Sequence, residues 1–329
     1  PWLEGAREYP GLIGVPLDTE GMGSQASDRQ EELVAKAPRD AVEAIIAQRT
    51  LRFRFMKHDA WENALFVHWP IDPAVVRQLL PRGLEPDLYD GMAYVGLVLL
   101  TERGVSAHHA CGRAVVAPID HLGANVRTYV KRNGVPGIYF WSLECSSWLA
   151  STGARLAGIP YFPAKMERTV DVLRPVEGRH GAAKQESVED PQKETDPAAG
   201  FTFHFHSQRS WAPGLTSLTG SLPSVTARWR LGGGSAPSQE WSKKAQFFVE
   251  RYSVYAAWPL GAGPLLLRGD VEHPEWEVES VNLEHLDAET LLAAAGLPGI
   301  ASSSSSNEVR HVCFSRGVGP VNFWMLEPV

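Results

Sequence analysis

Phe201, Phe203 and Phe205 alternate with Thr202, His204 and His206. A period of two puts one set on each face of a strand, so this segment reads as half-buried β. Other runs carry the same signature or are apolar throughout: Ala64–Trp69, Met92–Leu100, Asn125–Lys131, Gly137–Cys145 and Val225–Leu231. Phe247–Tyr255, Leu265–Val271, Arg310–Phe314 and Val321–Met325 follow. These are short segments rich in aromatic and β-branched residues, often bounded by Pro, Gly or Ser. Helical periodicity is rarer. Asp72-Pro73 opens a helix that stops at Pro81, with Asp as N-cap and Pro in the first turn. Ser146 caps a helix to Ala157, and Gly158 ends it. Asp287 caps a late helix that buries Leu291 and Leu292 and stops at Gly296 and Pro298.

Many strands and few short helices predict an α+β, β-rich fold, a mixed sheet or barrel rather than alternating βαβ units. Strand strings run from Ala64 to Met325, so residues 51–329 read as one barrel domain. Residues 1–50 read as an N-terminal extension. Its Arg29–Arg49 stretch has a partial apolar stripe that Pro38 breaks in two. Residues 177–200 are charged and poor in apolar residues, which predicts a mobile insertion. Ser302–Ser306 is a serine run, read as a loop.

Composition narrows the classes of function. The chain is 44% hydrophobic and 21% charged, a globular balance. Its net charge of −7 disfavours nucleic acid as a partner. The apolar run Tyr94–Leu100 is too short to span a bilayer. Three cysteines, Cys111, Cys145 and Cys313, have no zinc or disulfide spacing. The sequence therefore predicts a soluble protein of cytoplasm or organelle interior, with a chain start that looks processed or truncated. Neither a metal nor a cofactor is expected. A protein partner or a second copy would engage the 1–50 extension.

Several residues could carry chemistry. Arg127 and Tyr129 lie two apart on one strand face. Turned into a cavity, they suit a carboxylate, with the guanidinium as fork. The other reading is a structural Arg127 paired with Glu144 or Glu250. Glu250 and Tyr252 share a face, and Glu250 is either a general acid/base or one half of a bracing ion pair. His204-x-His206 has a chelating spacing, but alternation with phenylalanine explains it as a polar outer face.

Longer strings carry a resemblance. They are FVHWPIDP (66–73), LLPRGLEPDLYDGMAYVGLV (79–98), NVRTYV (125–130), GIYFWSLE (137–144), GIPYFPAKM (158–166), ERYSVY (250–255) and HPEW (273–276). In this order, from about Leu51 onward, they resemble the domain of unknown function 2071 family, related by fold to acetoacetate decarboxylase. The extension before Leu51 and the two insertions have no counterpart in that pattern. The resemblance implies a β-barrel around an apolar ligand cavity. Acetoacetate decarboxylase holds a Schiff-base lysine after a Gly-Phe-Pro string. The nearest string here ends at Lys165, with Met166 where a second lysine would stand. By resemblance, then, Lys165 is the nucleophile of a lyase-like enzyme acting on a small keto acid or carbonyl compound. Arg127 and Tyr129 would hold the substrate with Tyr252, and Glu250 or Tyr161 would carry protons. The alternative is a snorkelling surface Lys165 in a non-catalytic binding or assembly subunit.

Overall fold

The computed structural model describes residue 47 and residues 53–108, 117–156, 159–174, 184–187, 200–210, 221–231, 238–260, 263–303 and 310–329. The expected N-terminal helix, apart from residue 47, lies outside the described residues.

In chain order the first strands are β1 (Arg54–His58) and β2 (Ala60–Ile71), then helix α1 (Pro73–Leu79) and strands β3 (Glu85–Pro86), β4 (Ala93–Ala107), β5 (Ile119–Arg132) and β6 (Val135–Cys145). Helix α2 (Trp148–Leu156) leads into β7 (Tyr161–Arg174), β8 (Lys184–Ser187), β9 (Gly200–Arg209) and β10 (Ser224–Arg230). Helix α3 (Gln239–Val249) precedes β11 (Ser253–Leu260), β12 (Gly263–Glu272) and β13 (Asn282–Asp287). Helices α4 (Glu289–Ala294) and α5 (Ile300–Ser303) come before β14 (His311–Val318), β15 (Val321–Trp324) and β16 (Glu327–Pro328).

The fold is mostly β with few short helices, as the alternation predicts. The strand path runs β13-β10-β9-β7-β6-β11-β12-β15-β1-β4-β2-β14, with β3, β5, β8 and β16 joined beside it. This path is not the simple closed barrel of the sequence reading. Followed pair by pair, however, β4–β5–β6–β11–β12–β15–β1 returns to β4. Most of these contacts are antiparallel; β6–β11 is parallel.

Local rules explain the elements. Oδ1 of Asp72 accepts the Ala74 N–H at 2.7 Å, so the expected cap starts α1. In α2 the cap is Ser147, whose hydroxyl accepts the Ala150 N–H at 3.3 Å. The expected cap, Ser146, accepts from Leu122 N instead. At α4 the N-cap position is Ala288, and Asp287 only reaches the Glu289 N–H at 3.4 Å. Phe247–Tyr255, read as a strand, belongs to α3 up to Val249, and β11 starts at Ser253. Ser238 caps α3, and Ala245, Phe248 and Val249 bury one stripe of it. A period of 3.6 thus overrides the strand propensity of Phe and Val. Inside the expected insertion, Lys184–Ser187 forms β8 and pairs antiparallel with β7; Gly200 already begins β9. Ser302 and Ser303 close α5, and Ser304–Ser306 lie outside the described residues.

The near-continuous apolar runs of β2 and β4 follow from burial on both faces. Leu65, Val67, Trp69, Leu97 and Leu99 pack with Phe203, Trp229, Leu291 and Phe314 on one side. Phe66, Val98, Leu100, Tyr129 and Phe248 pack on the other. Phe203 stacks on Trp229 at 5.1 Å, an arrangement that adds about 0.5–1.5 kcal/mol to plain burial.

Candidate functional site

The second face of β4 and β5 looks into a cavity of about 460 Å³. Alternation selects its lining. On β5 the inward positions are His121, Asn125 and Arg127, with Gly123 between them; on β4 they are Val98, Leu100 and Glu102. Opposite partners are Val98 and Asn125, Leu100 and Gly123, Glu102 and His121. A register shift between Val126 and Arg127 leaves an extra residue on β6, so Ile138 and Phe140 line before it and Leu143 after it. Val254, Val271 and Phe323 close the far side, and Leu149, Ala150 and Ala154 of α2 contribute one flank.

Two glycines make room for the polar groups. Arg127 faces Gly96 across the ladder, where a Cβ would stand 3.3 Å from Arg127 Cγ and 2.9 Å from the Tyr129 hydroxyl. A Cβ on Gly123 would stand 2.9 Å from Glu102 Oε1. The larger side chains therefore lie across bare backbone.

Polar groups gather at the two ends of the β5 row. At one end stands Arg127, 9% exposed. One terminal nitrogen donates to the Phe248 carbonyl at 3.3 Å, and Nε has no partner among the described residues. The guanidinium lies 5.6 Å from the ring centroids of Phe66 and Tyr129. Neither carboxylate expected to pair with it does so. Glu144 is taken by Arg209 at 2.6 Å. Glu250 accepts the Trp276 N–H at 2.8 Å and the Tyr252 hydroxyl, both neutral donors, and makes no ion pair among the described residues. Beside Arg127, Asn125 also leaves its side-chain oxygen without a partner among the described residues.

At the other end stands Glu102, flanked by two histidines. Nδ1 of His58 lies 3.0 Å from Oε2, and Nδ1 of His121 lies 3.9 Å from Oε1. Burial pushes the Glu102 carboxyl up, but the charges of His121 and His58 and the hydrogen bonds from His58 and Trp61 outweigh it, and the group is held below its ordinary value. Glu102 is therefore a carboxylate. Trp61 Nε1 lies 2.8 Å from His58 Nδ1. One nitrogen cannot accept the indole proton while donating to Glu102. With Glu102 ionised, the proton is assigned to His58 Nδ1 and the indole N–H is directed at the carboxylate. Tyr161, at the start of β7, lines the same cavity. Burial, and then the negative charge of Glu102, push its hydroxyl well above the usual tyrosine value, so it keeps its proton.

Of the residues singled out from sequence, Arg127 and Tyr161 line this cavity. Tyr129 is fully buried beneath Arg127. Tyr252 is buried and stacks on His273 at 4.5 Å. Lys165 is not brought to them. It is exposed on β7, in a surface depression with Trp148 and Met166. His204 and His206 sit on the outer face, near Asp171 at 3.1 Å and Thr226 at 3.1 Å. Glu102, His58, His121 and Asn125 were missed. For His121 and Asn125 the signal was the period-two row His121, Gly123, Asn125, Arg127 on β5, of which only the end around Arg127 formed a recognisable string; His58 and Glu102 lie on β1 and β4 and had none.

Fold and cavity together define a β-rich protein built around an apolar chamber with polar ends. The sequence of residues 58–319 matches the domain of unknown function 2071, described as an uncharacterized conserved protein, and the chain belongs to that family. The uncharacterized protein YqjF of Bacillus subtilis (strain 168) is 36% identical over 114 residues, 34% of this chain and 46% of that protein. The match thus spans less than half the length of this curated relative. Among solved structures, an acetoacetate decarboxylase from Legionella pneumophila subsp. pneumophila str. Philadelphia 1 is similar with a TM-score of 0.48 at 14% identity, over 86% of this chain and 90% of that one. The enduracididine biosynthesis enzyme MppR with HEPES buffer bound gives 0.47 at 15%, over 83% and 87%. Among the described residues, no helix is long and apolar enough to cross a membrane.

Proposed function

We propose that this chain takes an elongated, mostly apolar organic acid into the cavity and acts on it as an enzyme of carbonyl chemistry. In this reading the strand circuit is the barrel-like wall, and Arg127 is the anion anchor. The observation that carries it is Arg127 itself, a buried cation with no carboxylate within ion-pair distance among the described residues. A buried charge is costly without a counter-charge, and an anionic ligand supplies one. Asn125, with its unpartnered oxygen, suits a hydroxyl or protonated group beside that anion. The apolar body between the ends, formed by Phe66, Val98, Leu100 and Ile138, suits an alkyl or aryl chain. Imine chemistry through Lys165 has no part in this reading, because that ammonium is exposed and away from the lining.

Calorimetric titration with medium-chain fatty acids and their oxo derivatives tests the proposal. The wild-type chain binds at least one of them, and Arg127→Met binds it at least tenfold more weakly. Equal affinity in the two proteins overturns the assignment of the anchor, and no binding by the wild type overturns the reading as a whole. Borohydride trapping with a keto acid checks the other route: a reduced adduct at Lys165 would restore the lysine as nucleophile.

A further inference from the structure

His121 and Arg127 are six residues apart on an unbroken stretch of β5, which places their backbones about 20 Å apart. Both face the cavity. A ligand held by Arg127 therefore reaches the Glu102 end with the far part of its body, not with its acid group. That end holds more polar chemistry than binding an alkyl tail requires. The carboxylate of Glu102 is pinned by His58 at 3.0 Å and by the Trp61 indole beside it. His121 turns Nδ1 toward Glu102, so its other ring nitrogen is turned away from the carboxylate. Tyr161 brings a hydroxyl into the same chamber.

We propose that the Glu102 end of the cavity is a proton-transfer centre for an enolisable ketone carried on the body of the bound acid, with His121 as general base and Tyr161 as donor to the ketone oxygen. The idea rests on the cavity reading above and names its substrate class, a long-chain acid with an oxo group remote from the carboxylate. The far nitrogen of His121 takes a proton from the carbon next to the carbonyl. The C–H bond breaks, its electron pair forms the enolate C=C bond, and the negative charge moves to oxygen. The Tyr161 O–H, kept protonated by its surroundings, hydrogen-bonds that oxygen. Proton return from the imidazolium restores the ketone, so no oxidant or second reactant takes part. Glu102 is a positioning residue. It faces the Nδ1 side of His121 and stabilises the imidazolium, as a carboxylate does behind a catalytic imidazole. The 3.9 Å separation is long for a hydrogen bond, as is common before substrate is bound.

Deuterium exchange tests this. Oxo fatty acids differing in the distance between ketone and carboxylate are incubated with the protein in D₂O and followed by proton NMR, with binding measured in parallel by calorimetry. The expected result is exchange next to the ketone for the long-spaced acids and little for the short-spaced ones. His121→Asn keeps the affinity and loses about a hundredfold or more in rate. Tyr161→Phe loses rate with affinity retained. Glu102→Gln slows exchange and moves the rising limb of its pH profile to lower pH, a shift that a merely structural role would not produce. Because Glu102→Gln and Tyr161→Phe are near-isosteric, they remain informative if His121→Asn does not fold. Binding without exchange above the level of these variants overturns the proton-transfer centre and leaves the cavity reading intact. Absence of binding by every acid overturns both.

Discussion

Arg209 holds Glu144 through Nε at 3.1 Å and a terminal nitrogen at 2.6 Å, with both side chains almost fully buried. That terminal nitrogen also donates to Ser142 at 2.7 Å, and the guanidinium lies 3.7 Å from the Phe162 ring centroid. Breaking such a pair leaves a charge without compensation. Arg209→Ala or Glu144→Gln is expected to lower stability by about 3–5 kcal/mol, measured by urea denaturation.

Arg127 behaves in the opposite sense. Without a protein carboxylate to lose, Arg127→Met relieves a buried charge, so its stability is expected to be unchanged or raised. A melting temperature many degrees lower would show that Arg127 holds the fold together rather than awaiting a ligand.

His68 and His311 face each other with Nδ1 atoms 3.4 Å apart. His68 stacks on Phe248 of α3 at 3.8 Å. Burial first, then the charges of His311, Arg127 and Lys244, hold His68 well below its ordinary value. Burial, then Lys244, brings His311 down to about 4. Both are neutral in the fold, whereas the unfolded chain protonates them near pH 6.5. The unfolded state therefore binds more protons as pH falls. Stability is full above about pH 6.5 and is lost progressively toward pH 4, by about 1.4 kcal/mol per pH unit for each histidine. Denaturation across this range checks the slope, and His311→Gln should make it shallower.

Burial pushes the Cys145 thiol up to about 12 and Cys313 further still. Thiolate is the reactive form, so neither should alkylate at neutral pH until the chain unfolds. Peptide mass analysis after iodoacetamide treatment, with and without urea, reads this out; modification of Cys313 in the native protein would contradict it.

Gly137 sits where β6 runs parallel to β11. A Cβ there would meet the Ser253 carbonyl oxygen at 2.6 Å and the Tyr255 ring at 2.8 Å. One of these is backbone and cannot rotate away. Gly137→Ala should cost about 1–3 kcal/mol, measured by thermal unfolding.

The sequence made the β-rich character legible because period-two alternation is local and survives tertiary context, as in Phe201–His206. The start of α1 was legible for the same reason, since Asp72 and Pro73 act within one turn. The strand reading of Phe247–Tyr255 failed where two periodicities overlap, and the buried stripe of α3 took its first residues. The pairing of Glu144 with Arg209 was not legible, because it joins positions 65 apart in the chain. Half of the site was hidden for a similar reason. His58, Glu102 and His121 come from three strands, and no motif spacing links them. Arg127 could be found because its chemistry is conspicuous in an apolar strand.

The contact between β1 and β15 sets Met56 beside Phe323 and His58 beside Val321. The circuit of paired strands is thus completed by segments more than 260 positions apart. Loop closure over such a separation is entropically slow, and nothing local rewards it in advance. During synthesis the chain would carry an open, half-walled trough until the β15 segment leaves the ribosome. Shortening the protein just before Val321 would leave the strand circuit without that seam.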